Sequence, residues 1–241
     1  MNHHFYFHTS EDMYEVSDNS VELIIFDPPY TNSLDGKTLD KSDYISFLKR
    51  VAFECERTLN DEGILVTINT DLRDHRRYNK NNSKFDGLIW QKHSDIKQIF
   101  EELGFLCFDT KIWVKSLKIN RYRYNYSYIQ FFVKSIKKER IVVPNDITNL
   151  FVPSVWFLKG TPRPRLNNKR VFMDGLHPEL VVRCILALTK SKDIVLSPFL
   201  GVGTVMEAAY NHDRASIGYE IDKDLFDYLI KKLPYAEFKT E

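Results

Sequence analysis

Residues 23–30 read Leu-Ile-Ile-Phe-Asp-Pro-Pro-Tyr. Four consecutive apolar residues predict a strand buried on both faces, as in the middle of a parallel sheet. Asp27 then places a carboxylate at the C-terminal end of that strand, where open α/β sheets bind their ligands. Pro28 and Pro29 fix φ and remove two backbone donors, so the chain cannot continue as sheet or enter a helix interior. Tyr30 follows on a stiffened turn. A rigid carboxylate, a carbonyl outside the ladder and an aromatic face together suit a flat, polar ligand.

Outward from this strand the pattern alternates. Residues 42–59 set Ile45, Leu48, Val51, Ala52 and Cys55 at helical spacing, with Ser42 as N-cap. Gly63 precedes a strand at 64–68. A helix over 94–103 is expected between Ser94 and Gly104, and strands near 105–115 and 128–135 follow. Pro144, Pro153, Pro162 and Pro164 make 136–175 irregular. A helix over 178–190 then leads into a βαβ unit: strand 194–196, helix 203–211, strand 216–221, and a last helix over 222–233. The expected architecture is one α/β domain over 1–241, with a basic loop at 71–92 and a small insertion at 136–175.

Composition bounds the function. The hydrophobic content of 43% and charged content of 28% are those of a globular domain, and 241 residues are enough for one sizeable core. No apolar run reaches the ~20 residues of a membrane span, and residues 1–16 lack the pattern of a signal peptide, so a cytoplasmic protein without membrane contact is expected. Cys55, Cys107 and Cys184 match no zinc spacing and read as buried structural thiols. His3, His4 and His8 form a terminal cluster that is weak support for a metal, and none is expected.

The net charge of +1 hides an asymmetry. Residues 73–84 hold Arg73, Arg76, Arg77, Lys80 and Lys84 against Asp74. Residues 111–140 carry nine Lys or Arg against Glu139, and 159–170 carry five with no acid. Three basic runs in a near-neutral chain point to a polyanion, with nucleic acid the leading candidate. Within 118–128, Lys118, Arg121 and Arg123 interleave with Tyr122, Tyr124, Tyr126 and Tyr128. Cations suit phosphates and tyrosines suit unstacked bases, although a hairpin with an aromatic face would use about half of these tyrosines as core. Trp156 reads as core or pocket wall.

A second motif lies at 197–204, Ser-Pro-Phe-Leu-Gly-Val-Gly-Thr. Gly201 and Gly203 let the backbone pass close to a ligand where a strand turns into a helix. Glu220, at the end of the next strand, is where an acid takes ribose hydroxyls. Met206 stands where the dinucleotide fingerprint has its third glycine.

Together these stretches resemble the amino-methylating DNA methyltransferases, in which a D-P-P-Y tetrapeptide carries catalysis and an F-x-G-x-G loop holds S-adenosyl-L-methionine (AdoMet). Asp27-Pro28-Pro29-Tyr30 and Phe199-Leu200-Gly201-Val202-Gly203 match both. The tetrapeptide comes first, as in the permuted β-class. Residues 125–135 resemble the strand that helps to hold the target base, and 216–222 resemble the ribose-binding strand. The resemblance implies a Rossmann-like AdoMet-dependent methyltransferase fold: a mixed, mostly parallel sheet with helices on both faces and circularly permuted motifs. It implies methyl transfer to adenine N6 in duplex DNA by base flipping, with cytosine N4 as the alternative. Asp27, Pro28, Pro29 and Tyr30 would form the catalytic turn. Asp27, His177, 199–203, Thr204, Glu220 and Ile221 would surround AdoMet. DNA contacts are expected from Arg76, Arg77, Lys118, Arg121, Arg123, Arg163, Arg165, Lys169 and Arg170, with 136–175 as the target-recognition insertion. A homodimer and a companion restriction endonuclease are open expectations.

Two positions depart from the family pattern. Ser197 stands where Asp is usual, and Glu179-Leu180-Val181 follows His177-Pro178 where a Lys is usual. A non-catalytic DNA-binding protein on the same fold is therefore a second reading. A nicotinamide oxidoreductase is a third, and it leaves Asp27–Tyr30 and the basic runs unexplained.

Overall fold

The computed structural model describes residues 2–29, 40–73, 89–117, 124–135, 148–160, 165–166, 169–170 and 175–239. Among these residues nine strands form one sheet: β1 (His3–Tyr6), β2 (Val21–Phe26), β3 (Leu59–Asn69), β6 (Leu106–Val114), β7 (Tyr126–Val133), β8 (Val155–Phe157), β11 (Ile194–Ser197), β12 (Ala215–Tyr219) and β13 (Glu237–Lys239). Two-residue ribbons lie outside it, β4 (Leu72–Arg73) with β5 (Ile89–Trp90), and β9 (Arg165–Leu166) with β10 (Lys169–Arg170). The helices are α1 (Lys41–Thr58), α2 (Lys92–Glu102), α3 (Thr148–Phe151), α4 (Pro178–Leu188), α5 (Thr204–Asn211) and α6 (Lys223–Lys232).

The sheet order is β13-β1-β12-β11-β2-β3-β7-β6-β8. Neighbours from β13 to β3 are parallel, and β7 runs antiparallel to both β3 and β6. This is the mixed, mostly parallel sheet that the family resemblance implies. β2 lies at its centre, and Leu23 to Phe26 are all buried. Leu23 and Ile25 face a core shared with α4 and α5, whereas Ile24 and Phe26 face one shared with α1 and α2. A strand covered on both faces needs an unbroken apolar run, and this one has it. The strand that carries the glycine loop, β11, comes late in sequence yet pairs with β2 through Val195–Leu23 and Leu196–Ile24.

Several local expectations need correction. Asp40, not Ser42, caps α1: its carboxylate accepts from the Asp43 N–H at 3.0 Å, while the Ser42 hydroxyl donates to the same oxygen. A charged acceptor suits the helix N-terminus better than a hydroxyl. α2 starts at Lys92, so Ser94 lies inside the first turn and caps nothing; its N–H bonds the Gln91 carbonyl. α4 ends at Leu188, where the Thr189 hydroxyl donates to the Ile185 carbonyl. The insertion is not wholly irregular: α3 and the edge strand β8 anchor it, and Trp156 is buried in the core. Cys55 and Cys184 are buried as expected, but Cys107 is only half-buried. The terminal strands β1 and β13 escape sequence reading because each is short and takes its stability from neighbours remote in sequence.

Candidate active site

A cavity of about 430 Å³ opens at the C-terminal ends of β1, β12, β11 and β2. Its walls are the four segments that leave these strands: 8–10, Asp27 with Pro29, 198–202 and 219–224. Phe47 of α1 and Leu176 before α4 complete it. The site lies where open α/β sheets place their ligand crevice.

The glycine loop is shaped by its backbone. Gly201 (φ 55°) and Gly203 (φ 79°) are both left-handed, a conformation that costs other residues energy. A Cβ at Gly201 would meet open space, whereas one at Gly203 would come within 2.7 Å of Leu229 Cδ2. The first glycine leaves room beside the cavity and the second lets α5 pack against α6. Leu200 and Val202 turn inward and are buried. Phe199 is half-buried, edge-on to Phe26 at 5.2 Å, and forms cavity wall. Thr204 opens α5 and lines the cavity, and Ile221 lines its mouth, 42% exposed.

Glu220 lies across from this loop. One of its oxygens accepts from the Gly201 N–H and the other from the Asp222 N–H, both at 2.8 Å. Burial pushes its carboxyl up to about 7 against the pull of those bonds.

Asp27 faces the same cavity. Burial raises its carboxyl to about 6, opposed by the ammonium groups of Lys115 and Lys92. The turn behind it is tied down from two helices. Tyr44 of α1 donates to the Pro29 carbonyl at 2.6 Å. Lys92, fully buried at the start of α2, reaches the Pro28 and Pro29 carbonyls at 3.4 and 3.3 Å. A carboxylate, a tethered carbonyl, a glycine loop and a second acid thus share one cavity.

A family model described as DNA methylase, of the N6/N4 methyltransferase type, matches residues 21–232. The chain belongs to that family. The type II methyltransferase M.HinfI of Haemophilus influenzae is 26% identical over 249 residues, covering 92% of this chain and 66% of that protein. The chain therefore spans just under two thirds of that relative's length. The structure of the Thermus thermophilus protein TTHA0409 complexed with S-adenosyl-L-methionine superimposes with a TM-score of 0.73 at 22% identity, covering 99% of both chains. PvuII DNA methyltransferase, which is cytosine-N4-specific, gives 0.72 at 15% identity, covering 99% of this chain and 95% of that one.

In this family member, the structure brings Asp27, Pro29, 199–202, Thr204, Glu220 and Ile221 to one cavity. Pro28 is buried behind it, and Gly203 packs on α6. His177 is placed differently: it caps α4, accepting from the Glu179 N–H at 3.3 Å, and is not part of the wall. Ser197 is buried, its hydroxyl turned to the Phe199 carbonyl. Tyr30, Arg76, Arg77, Lys118, Arg121, Arg123 and Arg163 lie outside the described residues. Arg165, Lys169 and Arg170 lie on the β9–β10 ribbon. His3, His4 and His8 face three different partners: the Ser216 hydroxyl, Glu237 and Glu15.

Three features at or near the C-terminal edge of the sheet have no signal in the local sequence. Lys92 is one. His8 is another: it bonds Glu15 at 2.6 Å, Glu15 also accepts from the Tyr219 hydroxyl, and His8 and Tyr219 both line the cavity. Asn69, at the end of β3, is the third. Both atoms of its amide are buried, without a hydrogen-bond partner among the described residues.

Proposed function

We propose that the chain transfers a methyl group from AdoMet to the N6 amino group of adenine in duplex DNA. The observation that carries this reading is Asp27, held at the end of β2 on the wall shared with the glycine loop and Glu220. The residues fit the cofactor. The cavity has the volume of a small-molecule pocket, Gly201 leaves open space, and a buried acid stands at a strand end. The backbone of 199–204 would pass along AdoMet, Glu220 would take the ribose hydroxyls, and Ile221 would flank the mouth. Bound there, AdoMet supplies an electrophilic methyl group.

An exocyclic amino nitrogen is a poor nucleophile because its lone pair is delocalised into the ring. Positive charge develops on that nitrogen as it is methylated. Asp27 and the Pro28 carbonyl, as fixed acceptors of its two hydrogens, stabilise this charge. A base inside a duplex cannot reach them, so it is flipped out at a cost of ~a few kcal/mol. Tyr30 and some of the tyrosines of 122–128 would offer faces for it, although one face of Tyr128 is stacked on His93 at 3.9 Å, and the basic runs would offer partners for phosphates. The family resemblance favours adenine, because Asp opens the tetrapeptide more commonly in adenine enzymes and Ser in cytosine-N4 enzymes, and here it is Asp27.

Methyl transfer from labelled AdoMet to unmethylated genomic DNA, followed by nucleoside analysis, tests the reading. N6-methyladenine supports it. N4-methylcytosine keeps the mechanism and overturns the base. DNA binding without product overturns the enzyme.

Two further outcomes are expected. The ionised form of Glu220 is the better acceptor for ribose hydroxyls, and it is lost as pH falls through about 7. AdoMet affinity measured by calorimetry should weaken by up to about tenfold per pH unit below that point. Glu220→Gln should bind more weakly and lack this dependence; a parallel curve for the variant would remove Glu220 from the site. Among the described residues the buried Asn69 amide has no hydrogen-bond partner, which costs the fold stability, as functional positions often do. Asn69→Leu should raise stability to denaturant by about 1 kcal/mol while slowing methyl transfer. Unchanged turnover would make Asn69 a structural oddity.

A further inference from the structure

A carboxylate and a carbonyl that must stay fixed need something to hold them. Lys92 begins α2 and is 1% exposed. A lysine at a helix start would ordinarily be solvated, and placing its ammonium inside the protein is unfavourable unless something there needs it. Two carbonyls receive it, those of Pro28 and Pro29. Its ammonium also lies 5.0 Å from the centre of the Tyr44 ring, whose hydroxyl donates to the same Pro29 carbonyl. The ordinary donors of a sheet ladder cannot satisfy this turn, because its strand ends at Phe26. A side chain from another element therefore does so.

We propose that Lys92 is a positioning residue of the methyl-transfer site: its buried ammonium clamps the Pro28 and Pro29 carbonyls, which directly follow Asp27 in the turn. The inference rests on the reading of Asp27 and Pro28 as acceptors for the amino group. Lys92 does not line the cavity. It orients one acceptor and sets the charge of the other.

The groups around Asp27 act in opposite senses. Lys92 from α2 and Lys115, just after β6, favour its ionised form, and burial opposes it. Tyr44 of α1 meets the Pro29 carbonyl and Lys92, and Glu220 lies elsewhere on the cavity wall. Burial also lowers Lys92 to about 7, opposed by Asp27, so the two charges sustain each other. Without the ammonium, Asp27 would hold its proton to higher pH.

The test is Lys92→Met, which keeps the volume and removes the charge, beside Lys92→Arg, which keeps the charge. Two quantities are read: the pH dependence of kcat for DNA methylation, and the Asp27 carboxyl titration by carbon-13 NMR, assigned by its loss in Asp27→Asn. Lys92→Met should move both the acid limb and the titration up by about one pH unit, with AdoMet binding kept. Lys92→Arg should leave both closer to the wild type. A uniform loss of rate with an unmoved limb and titration would make Lys92 a packing residue and overturn the inference. The titration also separates the two ideas: a wild type that methylates nothing, yet whose Asp27 titration moves in Lys92→Met, fails the proposed activity and retains the electrostatic role.

Discussion

Asp27→Ala is expected to lower kcat for methyl transfer by at least about 10³-fold, with AdoMet affinity little changed. A preorganised acceptor aimed at developing charge is worth about 10²–10³ in rate when removed. Here the same change also removes the only carboxylate in the tetrapeptide. Although Asp27 is expected beside AdoMet, the cofactor's other proposed contacts, the glycine loop and Glu220, do not pass through it, so single-turnover kinetics and calorimetry should separate chemistry from binding. Equal losses in both would place Asp27 in cofactor binding instead. Asp27→Asn should also be nearly inactive, because its amide can accept one hydrogen but offers no negative charge.

The raised pKa values of Asp27 and Glu220 have a thermodynamic consequence of known sign. Both carboxyls hold their protons more tightly in the folded chain, at about 6 against 3.8 and about 7 against 4.5. Their contribution to stability is therefore fullest below about 4 and declines as pH rises toward 7. Functional acids kept in a cavity cost the fold stability at the pH where they work.

The second large effect is on folding. Gly203→Ala should destabilise the chain by about 2–4 kcal/mol, as the sum of left-handed strain and overpacking. Its φ is 79°, and the added Cβ would lie 2.7 Å from Leu229 Cδ2 and 3.1 Å from Leu233 Cδ1. Both leucines are buried in one cluster with Phe226 and Met206, so their methyl groups must repack within it to make room. Gly201→Ala is the control. Its φ is also positive, but its Cβ would enter open space. Denaturant unfolding should show about 1 kcal/mol lost there, with AdoMet binding weakened out of proportion. Equal destabilisation by the two variants would mean that backbone strain, rather than the α6 contact, decides Gly203.

Much of this fold is legible in the chain itself, for identifiable reasons. Leu23–Phe26 is apolar without alternation, which only a doubly covered strand requires, and it became the centre of the sheet. Gly201 and Gly203 flank a strand-to-helix turn, and both adopt the left-handed conformation. Less of the helix starts could be read. Ser42 and Ser94 both look like caps, yet a nearby carboxylate displaced the first, and the inward pull on Lys92 came with a helix that begins before the second.

The sequence by itself determined the alternation of elements, the rigid turn after β2 and the glycine loop after β11, because each depends on conformational preferences of neighbouring residues. Tertiary structure alone decided what surrounds them. Lys92 lies 64 residues from the Pro28 carbonyl it reaches, and Tyr219 lies 204 residues from the Glu15 that holds His8. His177, which the family resemblance makes a cofactor contact, caps α4. A side chain's partners across such distances are set by how strands order themselves in the sheet. Local composition carries no trace of that order, because a lysine that ends in a buried turn and one that ends in water are the same residue.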